Sequence, residues 1–190
     1  MTESYKVPFY ILGFLIRLGP LHGYQLKAHI ELEARDFAKI RLPNLYYHLG
    51  SMREKGWVES KREKEGSRPE KDIFSITDEG RSKFGELLER ALAEPVDWDF
   101  PLDGALFFSK GRSAKRIERE LAAAEARATA ALESLAAHRK EVLAEVPQGF
   151  RDVAGLILSH HERHYATERE WLAEAKKVFE ARKGKIGGDR

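Results

Sequence analysis

The feature that most constrains this chain is a change of period at Gly56. Before it, apolar residues recur every three or four positions: Phe9, Leu12 and Ile16, then Leu26, Ile30, Ala34 and Phe37, then Leu45, Leu49 and Met52. Each set falls on one face of a helix. Pro8 and Pro43 suit first turns, while Gly19-Pro20 and Gly56 suit ends, so three short helices are expected, the first over about residues 8 to 18. After Gly56 the runs "WVESKRE" and "DIFSIT" are rich in β-formers and flank the turn cluster Gly66-Ser67-Arg68-Pro69. That order predicts a β-hairpin. Thr77 then caps a fourth helix with Asp78 and Glu79 in its first turn, where the helix dipole favours acids, and Phe84, Leu87, Leu88 and Ala91 on its core face.

The rest of the chain is a different material. "EPVDWDFPLDG" carries two prolines and interrupts the periodicity, and "GALFFSKG" predicts a brief helix. From the cap at Ser113, Ile117, Leu121, Ala124, Ala128, Ala131, Leu135, His138 and Val142 repeat at steps of three and four. That is a coiled-coil seam. Pro147 breaks it, and a last helix carries Phe150, Val153, Ile157, His164, Trp171, Ala175 and Val178 on a similar stripe. The pattern predicts a helical hairpin or part of an intermolecular bundle, ending in the aperiodic "RKGKIGGDR". The fold class is mainly α with a small β-hairpin. Its expected divisions are residues 1–93, a linker and short helix over 94–112, a helical region over 113–183 and a frayed tail over 184–190.

Charge helps only through its placement, because 33 Lys and Arg stand against 31 Asp and Glu in 190 residues. Between Arg35 and Lys71 there are ten basic residues and six acidic ones. With no cysteine, thiolate zinc sites and cysteine nucleophiles are excluded, and a reducing, cytoplasmic setting is expected. Lys6 and the apolar run after it have the look of an export signal. Arg17 interrupts that run, no small-residue cleavage site follows, and it is shorter than the ~20 apolar residues a membrane span needs. A first core helix is the expected structure.

At ~100° per residue the third helix packs through Leu45, Leu49 and Met52, leaving Asn44, Tyr47, Ser51 and Lys55 on the outer face. Tyr46 and Arg53 lie on one flank and His48 on the other. An exposed amide, phenol and imidazole near a helix N-terminus suit major-groove recognition, since amides pair with adenine edges. The hairpin adds Lys61, Arg62, Lys64, Arg68 and Lys71 around a small tip that includes Ser67, a shape suited to a phosphate backbone or a minor groove. Taken alone, such a hairpin is also the ordinary solvated edge of a sheet.

The segments "ILGFLIRLGPLHGYQLKAHIE", "LPNLYYHLGSMREKGWVES" and "GSRPEKDIFSITDEGRSKF" together resemble the PadR family of bacterial transcriptional regulators over about residues 9 to 92. The resemblance lies in the order Gly-Pro-x-x-Gly-Tyr, Leu-Tyr-x-x-Leu, Gly-Trp-Val, then Arg-Pro and Thr-x-x-Gly. It implies a winged helix-turn-helix, with Asn44, Tyr46, Tyr47 and His48 on the recognition helix and Arg68 at the wing tip. Asn44 stands where the family pattern has a small residue, a departure that bears on the operator sequence. The resemblance also implies a C-terminal dimerisation region, here an antiparallel coiled coil. Its expected contacts are Ile117, Leu121, Ala124, Ala128, Leu135, Ile157, Trp171 and Val178.

The function expected on this basis is a homodimeric, sequence-specific regulator without enzyme activity or cofactor. It would be a repressor of its operator, released by a small molecule. Trp98, Phe107, Phe108 and Trp171 are the candidate lining of an aromatic effector pocket. The competing reading uses "SHHERHYATERE", where His160, His161, His164 and Glu168 have spacings that could hold a metal, for a metal-responsive regulator or a metal-dependent enzyme. The segment has no His-Glu-x-x-His order, and the chain offers no phosphate loop or convergent acid and base beside it.

Overall fold

A computed structural model describes residues 5–63, 71–95 and 100–183, which divide into two compact units, Met1–Val96 and Asp97–Arg190. In the first unit α1 (Lys6–Leu18), α2 (Gly23–Glu33) and α3 (Leu42–Glu54) precede strands β2 (Val58–Glu63) and β3 (Lys71–Ile76) and helix α4 (Asp78–Ala93). A two-residue strand, β1 (Leu21–His22), joins α1 to α2 and was not legible in the sequence. It pairs antiparallel with β3, as does β2, giving a three-stranded sheet in the order β1-β3-β2. The register runs from Val58 opposite Ile76 to Glu63 opposite Lys71.

The expected stops work as chemistry requires. Gly19 ends α1 at φ +81° and Gly56 follows α3 at φ +72°, a conformation that glycine adopts without a Cβ penalty. Thr77 Oγ1 accepts from the Gly80 backbone N–H at 3.0 Å, capping α4, and donates to the Gly56 carbonyl at 2.6 Å, so one hydroxyl ties the end of α3 to the start of α4. The core of the unit is Ile11, Leu12, Leu15, Leu26, Ile30, Leu45, Leu49, Met52, Val58, Phe74 and Leu87. Burial of each large aliphatic side chain is worth roughly 1.5–3 kcal/mol. Phe9 stacks on Phe84 with ring centroids 5.4 Å apart, joining α1 to α4.

Two expectations need correction here. Phe37 does not extend the α2 stripe, because α2 stops at Glu33 and Phe37 lies beyond it, half exposed, against the Tyr10 ring. Leu88 is likewise partly exposed on α4.

The second unit holds α5 (Pro101–Phe107), α6 (Ala114–Glu145), a 3-10 turn (Gln148–Phe150) and α7 (Arg151–Lys183). α6 and α7 form an antiparallel hairpin, with Lys176 paired to Glu125 near one end and Arg139 to Glu162 at 3.3 Å nearer the other. Ser113 caps α6 by accepting from Arg116 N–H at 3.4 Å. Leu121 and Ala128 are buried with Leu172 and Phe179, and Leu135 and Val142 with Leu158. Of the two expected arrangements, the helical hairpin is the one seen, with the seam packed inside one chain. Ile117, Ala124 and Trp171 border the same cluster and Ile157 is half buried, whereas Val178 is exposed. The periodicity was right, but an a/d stripe specifies a partner helix without saying which chain supplies it.

Candidate nucleic-acid interface

Helix α3 is held from behind. Pro43 sits in its first turn, and Leu45, Leu49 and Met52 are at most 1% exposed, fixing its rotation. Asn44, Tyr47 (65% exposed) and Lys55 face outward, with Ser51 half buried beside them. Tyr46 is 39% exposed, and its ring meets the Tyr24 ring edge-on at 6.1 Å. Burial, with Tyr24 and Asp72 nearby, raises the Tyr46 phenol above its usual pKa and keeps it a neutral hydroxyl. Tyr24 itself, on the first turn of α2, is 67% exposed and extends the same surface.

His48 is a correction. Expected on the flank in reach of a ligand, it is 7% exposed, with its ring edge-on to Tyr47 at 5.3 Å. At 100° per residue it stands only ~60° from Leu45, within the arc that packs. It supports Tyr47 and is not on the outer face.

The wing is tied to the helix. Arg53 Nη1 donates to Ser60 Oγ at 3.2 Å, and Lys55 lies over the Trp57 ring at 5.1 Å. On the strands Arg62 and Lys71 are exposed, Arg62 lying 3.9 Å from Asp72. Lys64, Ser67 and Arg68 lie outside the described residues. From Glu59 to Asp72 the hairpin carries five acidic and five basic residues, so the local positive excess resides elsewhere. It belongs to α3 and the loop before it, where Arg35, Lys39, Arg41, Arg53 and Lys55 are all exposed. Three of these precede the N-terminus of α3, where the helix dipole also favours an anion, and two stand at its C-terminal end.

In the second unit a cleft of about 930 Å³ lies between α5 and α7, lined among others by Phe100, Leu102, His160, His164, Glu168 and Trp171. Of the four residues expected around an effector, Trp171 lines it. Phe107 and Phe108 do not; they are largely exposed and stack edge-on with each other at 5.1 Å. Trp98 lies outside the described residues. The Nε2 atoms of His160 and His164 are 3.0 Å apart, and the His161 ring centroid lies 5.7 Å from that of His160. Among the described residues no group of three or more His, Asp or Glu is placed to hold a metal ion. Nor is any described helix long and apolar enough to cross a membrane.

Residues 11–86 match the transcriptional regulator PadR-like family, whose members regulate transcription and are not enzymes. No curated protein matches the chain. Bacillus subtilis PadR, solved in complex with operator DNA, superposes with a TM-score of 0.77 at 19% identity, over 93% of this chain and 99% of that one. The same regulator in complex with p-coumaric acid gives 0.72 at 18% identity, over 92% and 98%. The Vibrio cholerae virulence activator AphA gives 0.72 at 22% identity, again over 92% and 98%. At these identities the likeness establishes a shared fold across nearly the whole length of both chains.

Proposed function

Starting from a chain whose residues 11–86 form a domain of the transcriptional regulator PadR-like family, we propose that the protein binds operator DNA through α3 and the β2–β3 wing as a homodimeric repressor released by a small-molecule effector. The observation that carries the reading is the division of α3 into a buried face, Leu45, Leu49 and Met52, and an outer face bearing Asn44 and Tyr47. A helix so held presents an amide and a phenol at fixed height, as base readout requires. Ser51 and Lys55 extend that face, and Arg62, Lys71, Lys64, Ser67 and Arg68 belong to the wing that would follow the backbone. Support for the polymer itself comes from the regulator of the same fold solved on operator DNA. A regulator acting on DNA in this way would work in the cytoplasm.

The dimer rests on what the α6–α7 hairpin leaves uncovered. Phe150, Val153, Leu156 and Val178 are each at least half exposed along α7 and its entry turn. Large apolar side chains repeated along one helix are the usual material of an interface. The effector rests on the cleft between α5 and α7, with an aromatic wall at Trp171 and polar groups at His160 and His164; a structural relative has been solved with an aromatic acid bound. A hundredfold release of operator would need about 2.7 kcal/mol of coupling between effector and DNA. Footprinting of the DNA upstream of the protein's own gene, combined with a transcription reporter, tests the reading. Two protected half-sites separated by about one helical turn or a multiple, with lower transcription when the protein is present, are expected. Protection without half-sites would remove the dimer, and raised transcription would make the protein an activator.

A further inference from the structure

The first turn of α2 and the flank of α3 meet at one unusually close point. A Cβ added to Gly23 would lie 2.6 Å from the Tyr46 hydroxyl oxygen, 2.7 Å from its Cζ and 2.8 Å from its Cε1. Neither helix can retreat to relieve such a contact. α2 is pinned at its start because His22 pairs with Ile73 in the sheet and donates its N–H to Gln25 Oε1 at 3.0 Å. α3 is pinned by Leu45 and Leu49, both fully buried. The yielding part is the free end of the Tyr46 side chain. Gly80 makes the contrast: a Cβ there would meet the backbone carbonyl oxygen of Trp57 at 2.0 Å, which nothing but a shift of main chain could relieve.

We propose that Tyr46 is a positioning residue, seated in a notch that exists because residue 23 is glycine, and that it sets the spacing between the first turn of α2 and the reading face of α3 instead of reading a base. The proposal rests on the regulator reading above. Tyr46 touches both elements that such a reading brings to DNA. Its ring carries the edge of Tyr24 on α2, and its neighbour Tyr47 is the most exposed aromatic of α3. In a helix-turn-helix the helix before the recognition helix crosses the phosphate backbone, so a wedge between the two fixes how backbone and base contacts are made together.

The test is a mutant cycle in the full-length protein: Gly23→Ala, Tyr46→Phe, Tyr46→Ala, and Gly23→Ala combined with each, measured by equilibrium binding to the upstream DNA and by thermal unfolding. Gly23→Ala is expected to lower affinity roughly tenfold, within the range of couplings between touching residues. The same loss is expected with Tyr46→Phe, because the ring end as well as the hydroxyl fills the notch. With Tyr46→Ala already present, Gly23→Ala should cost nothing further, and Tyr46→Ala alone should weaken all operator variants alike while preserving their rank. Should Gly23→Ala fail to fold alone, Tyr46→Ala decides through affinity: an equal loss on all operator variants supports the proposal, and a changed base preference overturns it. Equal losses in both backgrounds, a coupling seen in unfolding but absent from affinity, or a changed base preference at one operator position in Tyr46→Ala would each overturn the proposal. Wild-type protein that binds no DNA overturns the regulator reading itself, and is distinguished because it fails before any substitution is made.

Discussion

At the scale of single residues the account separates readers from supports. Asn44 and Tyr47 project from the outer face of α3, whereas His48 is buried behind Tyr47. Asn44→Ala or Tyr47→Ala should remove about 1–3 kcal/mol of discrimination between operator variants, measured as the spread of affinities across single base-pair changes. Arg41→Ala, at the exposed N-cap of α3, should instead weaken all sequences together and reduce the slope of log affinity against log salt by about one. The sequence disclosed Leu45, Leu49 and Met52 because buried apolar positions must repeat with the helix. It did not disclose His48, because a residue ~60° from the buried axis can be covered or open according to what packs alongside. The notch at Gly23 was equally invisible. A glycine after a turn reads as punctuation until the side chain lying over it is known.

At the scale of elements the short connections carry the geometry. The close approach of Gly80 to the Trp57 carbonyl, together with the Thr77 hydroxyl bridging to Gly56, locks the start of α4 to the base of the wing. Gly80→Ala should therefore destabilise the first unit by about 1–3 kcal/mol or more, the usual cost of overpacking, seen as a lowered denaturation midpoint. The other end of α4 is tied to α1: the Tyr5 hydroxyl donates to Glu94, Lys6 lies 3.6 Å from that carboxylate, and Arg90 stacks over the Tyr5 ring. The Tyr5 hydrogen bond first, and Lys6 second, hold the Glu94 carboxyl below the usual carboxylate range. Its stabilisation is thus full above the ordinary carboxylate pKa and lost as pH falls through the lowered value. Tyr5→Phe should shrink that acid-side loss of stability while leaving neutral operator affinity unchanged. Thr77, Ser113 and the glycine stops were legible because capping is local chemistry. β1 was not, since two residues hold no period and form a strand only when β3 is beside them.

At the scale of the whole molecule, the sequence announced two kinds of material but not their closure. Alternating steps along α6 identified a helix pair, and the structure assigns the pair to one chain. The surface proposed for a second copy is the exposed set Val153, Leu156 and Val178 on α7. Leu156→Glu should lower the mass in solution from dimer to monomer, measured by light scattering, and weaken operator binding through loss of the paired site. An unchanged dimer would move the interface elsewhere. The basic residues outside the wing stand at both ends of α3, Arg35, Lys39 and Arg41 before it and Arg53 and Lys55 at its end, so phosphate attraction should fall only in part when the wing is neutralised. The central claim is that α3 and its basic approach bind specific DNA. Its most direct test is equilibrium binding to the upstream DNA and to scrambled DNA of equal length, at 50 and 200 mM salt. The account predicts at least a thousandfold preference for the upstream sequence, within the range of specific regulators. If the dimer neutralises six to ten phosphates, affinity should also fall roughly 10³- to 10⁵-fold across that salt interval. Weak, equal binding to both DNAs would contradict it.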